Sequence, residues 1–209
     1  MLSSLYSKQC SKAILSRYYG TLTPTSAQRK TIYALSTPPG KGGVAVVRIS
    51  GPDALQVWRQ MVRSTDSQPK PDPKPWKLQR CHIVHPKTGA LVDDGLAVYF
   101  KGGRHVCLTG SKLIVEAPYS FTTQPSLELH VHSGRALITS LLSSLAALPF
   151  LRPAEPGEFT RQAFLGGRID LTQVEGLQDL IDADTEVQRV WALESAAVCL
   201  GLLYNDSSN

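Results

Sequence analysis

The run PGEFTRQAFLGGRIDLTQVE, residues Pro156 to Glu175, constrains the fold most, because it joins two regions with different hydrophobic periods. Before it, short β-prone runs alternate with short helical patterns. After it, one helical pattern continues almost to the C-terminus. Five charges lie within the joint: Glu158, Arg161, Arg168, Asp170 and Glu175. Gly166 and Gly167 are expected to end a helix formed by FTRQAFL, since glycine accepts the backbone angles of a C-cap. Thr172 is placed to cap the next helix, with Glu175 three residues on closing a capping box. Arg168 then falls on a short ordered connection, either as a geometric pin or as a contact to a ligand or partner.

A length of 209 residues suits one ordinary domain plus an extra element, or two small domains. No window approaches about 18 uninterrupted apolar residues, so no membrane span is expected. The formal net charge of +5 suggests a nucleic-acid binder until it is located. Residues 1–30 carry Lys8, Lys12, Arg17, Arg29 and Lys30 and no acid, leaving 17 basic and 17 acidic side chains in the rest. The body is therefore neutral, which argues against a nucleic-acid binder steered by a global field. The leader, residues 1–30, is rich in Ser, Thr and basic residues and reads as a mitochondrial presequence. Four scattered cysteines, Cys10, Cys81, Cys107 and Cys199, form neither a CxxC pair nor a metal spacing and fit a reducing compartment.

Thr31–Leu35 and Val44–Ser50 are expected to be strands around the bend STPPGKGG, which lacks the GxxxxGK[ST] order of a phosphate-binding loop. Arg48 shares a strand face with Val44 and Val46. An arginine there must find a carboxylate or a ligand, or extend to water. Leu55, Trp58, Met61 and Val62 form the buried stripe of the next helix. Prolines at 69, 71, 73 and 75 stiffen a connector from Ser64 to Lys77. Gln79–Val84 and Leu96–Phe100 read as a hairpin through Lys87-Thr88-Gly89 and Asp93-Asp94-Gly95. Residues 101–117 show no clear period beyond the β-prone run Leu113-Ile114-Val115.

In Ser126–His132, Leu127, Leu129 and Val131 alternate with Glu128, His130 and His132, placing the acid and both histidines on one face. Same-face neighbours stand roughly 6.5–7 Å apart along a strand. That is too wide for three ligands of one zinc ion without a turn. A solvated or partner-facing sheet surface and a polar ligand pocket both fit this row. Ser133-Gly134 opens a helix carrying Leu137, Leu141, Leu142, Leu145 and Leu148, ended by Pro149. Gln173 to about Tyr204 is expected to be one long helix whose apolar stripe wants partner helices.

Taken in order, IYALSTPPGKGGVAVVRISGP, SFTTQPSLELHVHSG and RPAEPGEFTRQAFLGGRIDLTQVEGLQDLIDADTEVQRVWAL resemble the N-terminal part of the tRNA modification GTPase family. The resemblance covers roughly Thr31–Leu193 apart from the irregular segment 101–117. It implies that residues 31–166 form an α+β domain, a mixed sheet with packed helices resembling the folate-binding domain of aminomethyltransferases. In the family that domain forms a homodimer and binds 5-formyltetrahydrofolate or a related tetrahydrofolate. Residues 167–209 resemble the start of a helical domain, expected to be truncated in this chain. The family's GTPase domain, with its GTP, Mg and K ions, is inserted later in that helical domain. No GxxxxGK[ST], DxxG or NKxD box lies within these residues, so they are not expected to hydrolyse GTP by the family route.

For function, the resemblance implies carbon-linked modification at C5 of the wobble uridine of tRNA, of the 5-taurinomethyluridine type. A partner flavoprotein takes part, tRNA is met through the full complex, and the leader points to the mitochondrial matrix. Matched residue by residue, the family's folate contacts fall on Arg48, on Glu128 in LELHVH, and on Arg168 in FLGGRIDL, where bacterial members more often carry lysine. No catalytic or metal-binding residue is carried over. The chain departs from the family pattern SFTGEDxxE at Thr123, Gln124 and Pro125, and from HGG at Ser133. The competing expectation is a non-catalytic interaction module, which dimerises or poisons full-length subunits without folate or tRNA activity.

Overall fold

The computed structural model describes residues 31–65, 69–103, 106–109, 112–115 and 120–200. The basic leader lies outside them. Among the described residues, nine strands and five helices follow in chain order. They are β1 (Thr31–Leu35), β2 (Ala45–Ser50), α1 (Ala54–Met61), β3 (Val62–Arg63), β4 (Gln79–Val84), β5 (Leu91–Phe100), β6 (Val106–Thr109) and β7 (Lys112–Val115). Then come β8 (Ser126–Val131), α2 (Arg135–Ala146), β9 (Leu151–Pro153), α3 (Glu158–Leu165), α4 (Leu171–Ile181) and α5 (Glu186–Leu200). Seven strands form one sheet in the order β3-β4-β5-β8-β2-β1-β9. All neighbours are antiparallel except β1 and β9, so the fold is α+β with a mixed sheet. The irregular segment supplies a partner for the Leu113-Ile114-Val115 run after all: β6 and β7 pair as a separate antiparallel hairpin.

Alternation along the strands decides which side of the sheet is dry. Val47 and Ile49 of β2, Leu127, Leu129 and Val131 of β8, Ala97 of β5, and Cys81 and Ile83 of β4 are buried together. Helices α1 and α2 cover this face with Ala54, Val57, Trp58, Met61, Leu141 and Leu145. The buried stripe of α1 is centred on Trp58 and Met61 as expected, but Ala54 and Val57 complete it. Leu55 is only partly buried, and Val62 has already passed into β3. Burial pushes the Cys81 thiol up to about 11, which keeps it a protonated, unreactive core side chain. The two edges of the sheet are short. β3 has two residues and bridges Pro69, while β9 has three and ends in Pro153.

Three further expectations differ from the structure. Asp93-Asp94-Gly95 is not a turn: β5 runs for ten residues and the reversal occurs earlier, where His85 Nδ1 accepts from the N–H groups of Lys87 and Thr88. The two acids tolerate strand positions because neighbours satisfy them, Asp94 through Arg80 and Asp93 through His132. The capping box of α4 is made by Asp170 and Gln173, not by Thr172 and Glu175, and the Thr172 hydroxyl instead donates to Asp170. Finally, the long helix is two helices in contact, α4 and α5. Thr185 and Gln188 form a second capping box, Gln188 N–H to Thr185 Oγ1 at 3.3 Å and Thr185 N–H to Gln188 Oε1 at 2.9 Å, and that box starts a new helix.

Candidate ligand-binding site

The face of the sheet opposite α1 and α2 carries the polar row. Arg48 of β2 stands directly across from Glu128 of β8, which in turn stands across from Val98 of β5. Residues facing each other in an antiparallel pair share a side of the sheet, so register alone brings the guanidinium and the carboxylate together. Arg48 Nε donates to Glu128 Oε1 at 2.9 Å, with the side chains 29% and 17% exposed. The guanidinium also lies over two aromatic rings, 5.7 Å from the centroid of Phe121 and 5.8 Å from that of Phe159. Ring faces attract a cation through their quadrupole.

Both rings are held by ordered structure. Phe159 rides on α3, whose first turn is fixed by Glu158. That carboxylate is buried and accepts from Arg152 of β9 and, at 2.9 Å, from the Glu155 N–H. The Arg152 guanidinium holds the Glu158 carboxyl below its ordinary range. Phe121 belongs to the segment before β8, which is clamped by a buried hydroxyl cluster. Ser50 Oγ and Thr122 Oγ1 are 2.5 Å apart, Thr122 Oγ1 and Ser126 Oγ 3.3 Å, and Ser50 Oγ donates to Gln162 Oε1 of α3 at 3.0 Å. Strand β2, strand β8, the Phe121 segment and α3 thus meet at one place.

Gly166 and Gly167 end α3 as expected. Gly167 has φ 66°, and the N–H groups of Gly167 and Arg168 return to the carbonyls of Phe164 and Ala163. That pair of bonds is a Schellman cap. It fixes the backbone of Arg168 but leaves the residue exposed. The structure therefore brings Arg48 and Glu128 together. Among the described residues, no hydrogen bond or ion pair joins Arg168 to either.

The histidines part company. His130 stays in the row, with Nε2 at 3.8 Å from Glu128 Oε2. His132 lies one residue past the end of β8, and its ring turns to Asp93 at 2.9 Å, while its N–H donates to the same carboxylate at 2.8 Å. That hydrogen bond raises the His132 pKa. Among the described residues, no three His, Cys, Asp or Glu side chains are arranged to hold a metal ion. No helix there is long and apolar enough to cross a membrane. The sequence offered both aromatic walls inside the motifs SFTT and GEFTR, but nothing local says that residues so far apart converge on Arg48.

Thr123 adopts φ 63°, a left-handed backbone that a β-branched residue enters at a cost of roughly 1–2 kcal/mol. It follows Phe121 and Thr122 closely, and its side chain crowds Gly166: a Cβ on that glycine would meet Thr123 Oγ1 at 2.1 Å. Thr123→Gly removes the backbone strain and adds roughly 0.5–1 kcal/mol of chain entropy to the unfolded state. The expected net result is a gain of roughly 0.5–1 kcal/mol, read as a higher denaturant midpoint at unchanged slope. A lower midpoint would show that the contact with Gly166 outweighs the strain.

Comparison with known proteins bears on this arrangement. A family model described as the GTP-binding protein TrmE N-terminus matches residues 31–114 and 109–168. The tRNA modification GTPase MnmE of Parvibaculum lavamentivorans is 45% identical over 175 residues, covering 84% of this chain and 35% of the relative. The mitochondrial 5-taurinomethyluridine-[tRNA] synthase subunit GTPB3 of Danio rerio is 46% identical over 176 residues, covering 84% and 31%. The mitochondrial tRNA modification GTPase gtpbp3 of Dictyostelium discoideum is 37% identical over 166 residues, covering 79% and 30%. The chain thus spans about a third of the length of the curated relatives it matches.

Proposed function

This chain belongs to the family of the GTP-binding protein TrmE N-terminus, and from that premise we propose that it is the folate-binding, dimerising module of a mitochondrial tRNA modification machinery. The chemistry it serves is carbon-linked modification at C5 of the wobble uridine of tRNA, of the 5-taurinomethyluridine type. Mitochondrial relatives and the acid-free leader support a place in the mitochondrion, in the matrix. The partners are a second copy of the chain, a flavoprotein, and tRNA met through the full complex. GTP, with its Mg and K ions, belongs to the GTPase domain of the full-length family rather than to these 209 residues.

One observation carries the ligand reading: the Arg48–Glu128 pair is partly buried with the Arg48 guanidinium over two aromatic rings, and Glu128 Oε2 accepts no hydrogen bond among the described residues. An ionised carboxylate offers about four lone-pair positions over two oxygens, so Glu128 can accept a planar pair of donors such as a pterin presents. Arg48 orients that carboxylate and presents positive charge to ligand oxygens. Arg168 is assigned an oxygen or carboxylate of the same ligand, reached from its capped connection. 5-Formyltetrahydrofolate, or a related tetrahydrofolate, supplies a one-carbon unit when bound.

Isothermal titration of the folded protein with 5-formyltetrahydrofolate tests this. Measurable binding is expected, weakened at least tenfold by Glu128→Ala, equivalent to about 1.4 kcal/mol for a donor pair left without its acceptor. No heat from a folded wild-type dimer would remove the folate reading. That result would favour a non-catalytic interaction module.

A further inference from the structure

We propose that His130 is a positioning residue for Glu128: its imidazole holds the second carboxylate oxygen while Arg48 holds the first, so that the carboxylate plane is set for a paired donor. This rests on the reading of the site as a pocket for a pterin-bearing ligand. His130 Nε2 is inaccessible to solvent and has no hydrogen-bond partner among the described residues. Buried ring nitrogens left unpaired are unfavourable and uncommon, so each calls for a physical reason. Directly across from His130 stand Val46 of β2 and Leu96 of β5, both apolar, so its cross-strand neighbours offer no side-chain partner. The acidic oxygen within reach is Glu128 Oε2, at 3.8 Å.

A carboxylate tethered by one donor keeps a broad terminal torsion. Arg48 alone, bound through Nε to Oε1, leaves the plane of Glu128 free to rock. A second donor on Oε2 removes that freedom. One lone-pair position on each oxygen then remains, side by side, for parallel N–H groups of the ligand. To donate there the imidazole has to close from 3.8 Å to hydrogen-bond length, about 2.8 Å, with its proton on Nε2. Glu128 is the group that touches ligand, and His130 acts through it.

The test uses the whole chain and 5-formyltetrahydrofolate. His130→Leu should weaken binding roughly tenfold, the loss of one hydrogen bond to a charged group, with no fall in thermal midpoint. His130→Gln retains an N–H donor and should recover affinity to within roughly threefold of wild type. Nitrogen-15 spectra of the imidazole should show a protonated Nε2 whose signal moves on ligand addition. Wild-type affinity in His130→Leu, or His130→Gln behaving like His130→Leu, overturns the proposal. If the leucine variant does not fold, the tautomer decides: a proton on Nδ1 with bare Nε2 toward the carboxylate overturns it equally. Normal wild-type binding, lost in Glu128→Ala and unchanged in His130→Leu, sinks this proposal and leaves the folate reading standing. A wild type that binds no folate sinks both.

Discussion

Trp58→Ala is expected to cost about 4 kcal/mol of stability, near the middle of the range for removing a fully buried aromatic side chain. Trp58 has no exposed surface and packs among Val57, Met61 and the strand residues of the main core. It also does something a phenylalanine could not, because its indole N–H donates to the Pro71 carbonyl at 3.1 Å and so ties the proline-rich connector to α1. With roughly 2–4 °C per kcal/mol for a chain of this size, the thermal midpoint should fall by roughly 8–16 °C. Trp58→Phe keeps most of the ring volume and loses the hydrogen bond, so it should cost about 1–2 kcal/mol. Chemical denaturation of both variants checks the pair. Equal losses would mean that the connector, rather than ring burial, dominates.

Glu158→Ala is expected to cost about 3 kcal/mol. The carboxylate is 3% exposed and takes two donors from Arg152 and one from the Glu155 backbone, so its removal leaves a partly buried cation and an orphaned amide. Breaking one side of a buried pair typically costs 3–5 kcal/mol. The lower end applies because the Arg152 side chain, 24% exposed, can turn toward water. The effect has a pH signature. Arg152 depresses the folded Glu158 pKa below its unfolded value, so the stabilisation is full above the ordinary carboxylate range. It is lost as pH falls through the depressed folded value. Glu158→Gln should therefore lie below wild type at neutral pH and lose less on acidification. Parallel stability curves for the two from neutral to acidic pH would refute this role.

The strands were readable because one face of each is dry. Val47 and Ile49 in β2 and Leu127, Leu129 and Val131 in β8 alternate without interruption, and period two leaves little choice of face. The joint was readable for a similar reason, since Gly166-Gly167 has few uses other than a helix end. What failed were places where a distant or overlooked partner overrides a local signal. Asp93-Asp94-Gly95 has turn composition, yet Arg80 and His132 satisfy its acids within the sheet. The stripe from Val174 to Trp191 runs smoothly past Asp182-Ala183-Asp184-Thr185, and the Thr185-Gln188 cap that restarts the helix was outvoted by periodicity.

The candidate site was legible in part. Glu128 and Arg48 each declared themselves as charges on half-buried strands, and resemblance named them together. Their contact depends on the register of two strands 80 residues apart, which no single stretch encodes. Phe121 and Phe159 were invisible as walls because a wall is a property of converging segments. Exposed Arg168 was legible as a residue of the short connection that the Gly166-Gly167 end and the Asp170 cap define.

The two margins of the sheet have one further consequence. Template growth, in which a foreign chain docks by pairing backbone to backbone, needs several consecutive unpaired amides and carbonyls. β3 offers two residues with Pro69 laid against Arg63, and β9 offers three, the last a proline without an amide proton. Neither side gives an incoming strand a runway. Pairing of the two copies proposed above through the margins of this sheet is thereby disfavoured, which leaves side-chain surfaces and the separate β6–β7 hairpin as the places where two copies can meet.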